Sequence, residues 1–207
     1  MKRHLKSALL LLGVGLMLAA CGIGESWKTD YGDVIDPAVA RTWRVTSIDV
    51  RVPETLTVSE ANTYAPDADI VWRGDPPGNR YKQVQAIIAE AARRGSAGLH
   101  GKRPVRLVIE MRTFHAVTER TRYNLENAGV HNITFEAGIF DARTGKQLVP
   151  TDLIQADLIA LSGTKAIAAE ARGETQKVRI IDHVSKVIAG WLGIGPDIRG
   201  SFTRNGR

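Results

Sequence analysis

The sequence has 207 residues, of which 43% are hydrophobic and 24% are charged, proportions that are ordinary for a globular protein. Its 28 lysines and arginines exceed its 22 aspartates and glutamates, which gives a formal net charge of +6. Half of that excess belongs to Lys2, Arg3 and Lys6 at the N-terminus, so the charge balance argues against nucleic acid as a partner.

Residues 1–20 have the layout of a secretory signal peptide. The basic head is followed by an apolar run from Ala8 to Leu18, about half as long as the ~20 residues that a membrane-spanning helix needs. The segment ends in Leu18-Ala19-Ala20 before Cys21, the only cysteine in the chain, so no intramolecular disulfide competes for its thiol. An ordinary signal peptide followed by a chance cysteine is the alternative.

The stretch from Leu18 to Cys21 resembles the bacterial lipobox, in which the peptidase cuts before a cysteine that already carries a diacylglycerol. The resemblance implies three acyl chains, such as palmitate, on Cys21, and two or more chains hold a protein stably at a membrane. Gly22 stands where lipoproteins retained in the inner membrane often have an aspartate. We therefore predict a lipid-anchored protein at the periplasmic face of the outer membrane, with the inner membrane as the alternative.

Residues 21–42 are predicted to form a tether between the lipid and the folded domain. Asp36 followed by Pro37 is typical of a helix N-cap and first helical position, which predicts one helical turn through Arg41. Some residues of the tether are too apolar for a linker that is exposed throughout, so part of it is predicted to pack on the domain: Trp27, Tyr31 and Val34.

A single domain is predicted over residues 43–195. It begins with strands over residues 43–52 and 69–73, both rich in alternating or β-branched apolar residues. A helix over residues 79–94 follows, with Asn79 as its cap and one apolar stripe along it.

The second half of the domain is predicted as a three-stranded meander and a helix. Strands are predicted over residues 105–111, 132–139 and 152–161, with a hairpin turn at residues 141–146. The last helix is predicted over residues 174–192, with this apolar stripe: Val178, Ile181, Val184, Ile188, Trp191 and Leu192. Residues 196–207 are predicted to form a flexible polar tail.

This order of elements predicts an α+β fold, namely an antiparallel sheet of about five strands with two amphipathic helices packed on one face. The other face would stay open. The register of the two central strands decides which side chains meet there. We predict the register that opposes Arg112 to Glu136 and Val108 to Phe140, because a shift by two residues would oppose Glu110 to Glu136.

In that register the open face has an apolar centre edged by charge, which is typical of a contact surface. We predict a partner surface of five residues: Val108, Arg112, Phe114, Glu136 and Phe140. The alternative is that the tether or the first strands cover this patch, since isolated exposed aromatic residues are common.

No catalytic, cofactor-binding or metal site is predicted. The sequence lacks Gly-x-Ser-x-Gly, Walker and His-Glu-x-x-His motifs, and an acylated cysteine cannot serve as a nucleophile or a zinc ligand. Glu110 and Glu136 could neighbour each other, but exposed sheet carboxylates are usually only solvated. His115 and His131 would lie diagonally with no evident third ligand, so we interpret them as polar histidines at a strand end. His183 is placed on the polar side of the last helix.

Most of the mature chain resembles an uncharacterised lipoprotein family of Gram-negative bacteria, of the alphaproteobacterial type. The resemblance rests on Ile70-Val71-Trp72 with Pro77-Gly78, on residues 105–115, on His131 through Gly145, and on Trp191-Leu192-Gly193. Because that family has no assigned activity, the resemblance implies no chemistry. The lipobox, the small α+β domain and the strand ending in Asp-x-x-Thr-Gly are also loosely similar to auxiliary lipoproteins of transport and envelope-assembly systems.

We therefore predict a non-catalytic, membrane-anchored periplasmic module that binds an envelope protein. One alternative is an envelope enzyme that acts on cell-wall or lipid material, and another is a carrier of an apolar ligand. Buried titratable groups in a cleft would favour the enzyme, a dry groove would favour the carrier, and a flat mixed patch would favour the binding module.

Overall fold

The computed structural model describes residues 34–199, which form a six-stranded mixed sheet and five helices. The strands are β1 (Trp43–Arg51), β2 (Ile70–Val71), β3 (Arg103–His115), β4 (Val130–Asp141), β5 (Gln147–Gln155) and β6 (Leu158–Ile159). The main path through the sheet is β1-β3-β4-β5, with β2 beside β3 and β6 beside β4. The predicted α+β class is confirmed.

The prediction of a purely antiparallel sheet is wrong, because β1 and β2 both run parallel to β3. Residues 52–102 connect β1 to β3 and contain a long helix, and a connection of that kind lets the chain cross over and return in the same direction. Alternation of apolar and polar residues is the same in parallel and antiparallel pairs, so the pattern could not distinguish them. The pairs β3–β4 and β4–β5 are antiparallel, as predicted.

The helices are α1 (Pro37–Ala40), α2 (Arg80–Gly95), α3 (Glu119–Asn124), α4 (Thr164–Ala171) and α5 (Gln176–Trp191). The predicted caps are confirmed, since Asp36 accepts from the Ala38 N–H at 2.8 Å and Asn79 from the Lys82 N–H at 2.9 Å. The long helices α2 and α5 pack against each other and share one core with the sheet. Gly95 permits this approach, because a Cβ there would lie 2.5 Å from the carbonyl oxygen of Ser185.

The buried stripe of α5 is rotated relative to the prediction. Val178, predicted to be buried, is 46% exposed, whereas Ile180 and Val187 are buried. At about 100° per residue, Val178 lies about 120° around the helix axis from Val184, which is fully buried. A residue at that angle falls outside the face that contacts the core.

The hairpin between β4 and β5 confirms the predicted turn. The Asp141 N–H donates to the carbonyl oxygen of Lys146 at 2.8 Å, and Gly145 has a φ of +72°, in the left-handed region. The third strand of the meander differs from the prediction, because β5 starts at Gln147 and the predicted residues 152–161 are divided between β5 and β6. Both pair with β4.

Residues on either side of the predicted 43–195 domain also pack against it. Ile35 is buried and donates its N–H to the carbonyl oxygen of Trp191 at 3.0 Å. Arg199 is 3% exposed, and its guanidinium lies 2.9 Å from Asp197 and 3.4 Å from Asp152. Both ends of the described segment, residues 34–199, therefore belong to the packed structure.

Candidate functional site

The face of the sheet opposite the α2–α5 core, called here the outer face, holds most of the predicted partner surface. Its side chains are half-buried or exposed, while their neighbours along β3 and β4 point into the core. Four strands contribute to it: Ser47, Asp49 and Arg51 from β1, Arg106, Val108, Glu110 and Arg112 from β3, Thr134, Glu136 and Phe140 from β4, and Leu153 from β5.

The predicted register between β3 and β4 is wrong by two residues. Val108 pairs with Gly138, and Glu110 pairs with Glu136, the arrangement that appeared repulsive from the sequence. Arg112 resolves the repulsion, because its guanidinium lies 3.1 Å from a carboxylate oxygen of Glu110 and 2.9 Å from one of Glu136. The β3–β4 pairing is irregular at this point, between Met111 and Thr113, which frees Arg112 to reach both carboxylates.

The same β-bulge moves Phe114 off the outer face. An extra residue in one strand reverses the alternation of all side chains that follow it. Phe114 is 1% exposed and packs edge-on against Trp72, with ring centroids 5.7 Å apart. The prediction of Phe114 as a surface residue is therefore wrong, and the ring belongs to the core.

Phe140 remains on the outer face, which carries two further apolar side chains: Val108, which pairs with Gly138, and Leu153, which pairs with Glu136. Arg106 is the cross-strand partner of Phe140, with the guanidinium carbon 5.6 Å from the ring centroid. The ring lies along its own strand, since a Cβ at Gly138 would be only 3.3 Å from Phe140 Cε2. Leu153 is 50% exposed, so part of the apolar surface of this face remains in contact with solvent.

The charges of the outer face are balanced within it. Arg51 binds Asp49 at 2.8 Å, and Arg112 binds both glutamates of the β3–β4 pair. Arg106 is the third basic side chain of the face, which therefore has as many basic as acidic side chains. A surface without excess positive charge lacks the property that attracts nucleic acid or anionic lipid.

The two histidines considered as metal ligands do not face each other. His115 pairs with Asn132, and its Nε2 lies 2.8 Å from the carbonyl oxygen of Pro66. His131 lies at the start of β4, the strand end that was predicted, and its side chain is 0% exposed. Burial, together with the nearby cations Arg179 and Arg122, lowers the pKa of His131 to about 3. Within residues 34–199, no group of three or more His, Cys, Asp or Glu could hold a metal ion.

A buried polar cluster around Arg122 lies in the same part of the fold and is not predicted by the sequence. Arg122 is 3% exposed and binds Glu170 at 2.6 Å. When the Gln176 side-chain amide is oriented so that its nitrogen donates to the carbonyl oxygen of Val117, its oxygen accepts from the Arg122 guanidinium at 3.3 Å. Arg179 donates to the carbonyl oxygen of Ile159 at 3.1 Å. A lone arginine in a polar connection gives no periodic signal of burial, so the sequence offered no means of finding this cluster.

Two open grooves flank the edge strands. One, of about 530 Å³, follows residues 44–48 of β1 and the C-terminal end of α2, with Arg44, Arg93 and His100 among its lining. The other, of about 450 Å³, lies between α1, β5 and Trp191 and is lined mainly by apolar residues: Val34, Ile35, Val39, Leu148 and Val149. Of these grooves, the second has the composition that the carrier alternative requires.

Cys21, Trp27 and Tyr31 lie outside the described residues, so lipid attachment and the covering of the outer face by the tether stay predictions. Within residues 34–199, no helix combines the length and the apolar character needed to cross a membrane.

Residues 43–206 match the model of a family described as one of unknown function, DUF6778. No curated protein matches the chain. Similar crystal structures include a candidate lipoprotein from Caulobacter crescentus CB15, with 13% identity, coverage of 76% of this chain and 95% of that chain, and a TM-score of 0.35. A dodecamer of a PelC variant from Paraburkholderia phytofirmans has 13% identity, coverage of 79% and 95%, and a TM-score of 0.34. Protein XCC0632 from Xanthomonas campestris, of family DUF330, has 12% identity, coverage of 73% and 82%, and a TM-score of 0.39.

Proposed function

Because this chain belongs to the family of unknown function DUF6778, which assigns no activity, we propose its function from its own sequence and surface. It acts as a non-catalytic binding or assembly module of the Gram-negative cell envelope. The lipid on Cys21 holds it at the periplasmic face of the outer membrane, and the outer face of its sheet contacts a protein partner.

The observation that carries this proposal is the composition of the outer face. Val108, Phe140 and Leu153 are apolar side chains of this face, and the charges of Arg112, Glu110 and Glu136 beside them are paired with one another. Association with a protein gains from burying such apolar side chains, and charges that already have partners on the face lie beside them, as in mixed contact surfaces. The absence of net charge on this face favours a protein over an anionic polymer or a lipid surface.

A second candidate, an apolar-ligand carrier, is supported by the groove beside Trp191. Its volume of about 450 Å³ falls within the range of small-ligand pockets, and its walls are mainly apolar. The two carboxylates at the groove are already engaged, since Asp36 caps α1 and Asp152 lies 3.4 Å from Arg199. The other polar side chain of the described lining, Thr151, accepts from the Gln147 amide at 3.1 Å, so we favour the binding module.

Replacing Cys21 with serine is expected to abolish lipid attachment, because the lipid bond requires the only thiol of the chain. The variant should accumulate as a precursor or leave the membrane fraction. Metabolic labelling with radioactive palmitate, followed by membrane fractionation, measures both effects. Ser26→Ala is the control and should keep its label. Label that persists on Cys21→Ser would contradict the anchor.

A photo-crosslinking amino acid placed at Leu153 should form a defined adduct with one envelope protein in living cells. The double variant Val108→Ser, Phe140→Ser should reduce that adduct at least about tenfold, because contacts at the centre of an interface dominate its affinity. The probe placed at Val178 is a matched control, since that residue is similarly exposed, at 46%, but lies on α5.

Equal adducts from both probe positions would contradict the outer face as the contact surface, as would an adduct that the double variant leaves unchanged. Circular dichroism on the double variant checks that the sheet still folds. Both substituted residues retain solvent contact, so folding is expected to be largely intact.

A further inference from the structure

Strand β1 (Trp43–Arg51) forms an edge of the sheet. It pairs with β3 along one side, and no strand within residues 34–199 pairs with its other side. The backbone N–H and C=O groups along such an edge can pair with another chain, and proteins usually cover them. Any part of this edge that stays uncovered is therefore a candidate for the addition of a peptide as a further strand.

Both ends of this edge are covered from within the chain. The backbone oxygen of Trp43 accepts from the Gly101 N–H at 2.6 Å, and the backbone oxygen of Val50 accepts from the side-chain amide of Gln85 at 2.7 Å. The first bond comes from the segment that follows α2, and the second comes from α2 itself. What these two bonds leave open is the middle of the strand.

The direction of the backbone groups shows which residues are open. The carbonyl oxygen of Thr42 accepts from the first residue of β3 at 2.9 Å, so the groups of the next residue, Trp43, point away from β3. Backbone groups alternate in direction along a strand, so those of Val45 also point away from β3. Ile48 precedes Val50 by two residues, and its groups point to the same free side.

Val45 and Ile48 are three positions apart and still point the same way, because a β-bulge adds one residue between them. Val45 pairs with Val105, and Ser47 pairs with the next residue of β3. No loop and no side chain within residues 34–199 bonds to the backbone of Val45 or Ile48. Residues 45–48 are therefore the open segment of this edge.

The groove of about 530 Å³ beside β1 follows the open segment. Its other wall is the C-terminal end of α2 and the turn after it, and apolar side chains come from both walls: Val45, Ile48, Ala89, Ala97 and Leu99. A peptide that pairs with the open segment would extend alternate side chains over this groove. Sites of strand addition obtain affinity from the backbone bonds and specificity from such pockets.

The charged side chains of this groove are all basic. They are Arg44, Arg93 and His100, and the described lining includes no aspartate or glutamate. Arg93 is already paired with Glu90 at 2.8 Å, so its charge is balanced outside the groove. Arg44 is exposed and forms no side-chain hydrogen bond or ion pair within residues 34–199. A free guanidinium favours a carboxylate, which it can bind through two parallel hydrogen bonds.

We propose that the open segment of β1 binds an extended acidic peptide segment of a partner protein, which adds to the sheet as a strand and places a carboxylate at Arg44. A second copy of this chain would bring its own basic groove against this one, and like charges oppose that pairing. The site uses the free edge of β1 and not the side chains of Val108 or Phe140, so it stands whether or not the outer face binds a partner.

A phage-displayed library of random linear heptapeptides, selected on the purified full-length protein, tests the ligand class. Peptides rich in aspartate and glutamate should be enriched. Arg44→Glu should weaken the binding of the selected peptides by about tenfold or more, because like charges then face each other across the site. Arg41→Glu is the matched control, since it makes the same change of charge at an exposed arginine outside the groove lining, and it should retain binding.

Two measurements on the unaltered protein test strand addition and do not depend on how a variant folds. In hydrogen exchange followed by NMR, a selected peptide should slow the exchange of the Val45 and Ile48 amide hydrogens by about tenfold or more. Two versions of that peptide, N-methylated at odd and at even positions, should differ in affinity by about tenfold or more. Only every second amide of an added strand faces β1, so one of the two versions loses the bonding donors.

A selection that enriches no acidic peptides would overturn the proposal, as would peptides that bind Arg44→Glu and Arg41→Glu equally. Equal affinity of the two methylated versions, or binding without protection of the Ile48 amide, would mean contact through charge alone and would also overturn it. Analytical ultracentrifugation of the free protein tests the remaining occupant. A dimer in which the Ile48 amide is already protected would mean that a second copy covers this edge, and the proposed peptide site would then be wrong.

Discussion

Truncation of Trp191 to alanine is expected to lower the free energy of unfolding by about 3–5 kcal/mol, the usual loss for a buried tryptophan. Trp191 is 1% exposed at the end of α5 and belongs to the core shared by the helices and the sheet. Removing the indole leaves a cavity that its neighbours can fill only in part. Since a typical domain is stable by about 5–15 kcal/mol, this one change would remove a large share of the stability.

Equilibrium unfolding in urea, followed by circular dichroism, measures this loss as a change in midpoint at constant slope. Val178→Ala is the matched control in the same helix, because Val178 is 46% exposed and its truncation should stay within about 0.5 kcal/mol. Trp191→Phe should fall between the two, since it keeps part of the ring volume. An unchanged midpoint in Trp191→Ala would show that α5 does not dock on the core as described.

The sequence predicted those features of the fold that depend on a few adjacent residues. Asp36 before Pro37, Asn79 before α2 and Gly145 in the hairpin each have a local signature, and each occupies the predicted position. Alternation over β3 and β4 identified the buried sides of both strands up to Met111. In each case the residues that determine the cap, the turn or the buried side are adjacent in the sequence.

The predictions are wrong where contacts between residues far apart in the sequence determine the register or the burial of a side chain. The register before the bulge opposes Glu110 to Glu136, and the bulge at Arg112 turns Phe114 into the core. Pairwise charge reasoning rejected that register, because it compared Glu110 and Glu136 without the arginine that bridges them. A bulge of this kind has no signature in the alternating pattern, since the residues on both sides of it still alternate.

The candidate site likewise contains residues that the sequence predicted and residues that it did not. Val108 precedes the bulge, and Glu136 and Phe140 lie on the partner strand, so the alternation places them correctly on the outer face. Arg112 is the extra residue of the bulge and reaches the same face through its two carboxylate partners. The cluster around Arg122 is not predicted by the sequence, since residues from α3, α4 and α5 meet there only after folding. Its chemistry depends on burial, which the composition of each segment does not reveal.

Acid is expected to destabilise the protein through His131 well before its carboxylates titrate. Burial lowers the pKa of His131 to about 3, from an ordinary value of 6.5. Above pH 6.5 the ring is neutral in the folded and unfolded chains, so it contributes no pH dependence. Below pH 6.5 the unfolded chain binds a proton that the folded chain does not, and this favours unfolding increasingly down to about pH 3. Between pH 7 and pH 5 the loss is about 2 kcal/mol.

Urea unfolding at pH 7, 6 and 5 measures this loss. Carboxylates with a lowered pKa, such as Asp141, lose their stabilising effect only below about pH 4, so this window isolates the histidines. His131→Leu should remove most of the slope, and the smaller remainder belongs to His183, whose pKa burial also lowers. His100→Leu should keep the full slope. Equal slopes in His131→Leu and the unaltered protein would show that the ring is not held neutral in the core, because only a buried neutral histidine links folding to the release of a proton in this range.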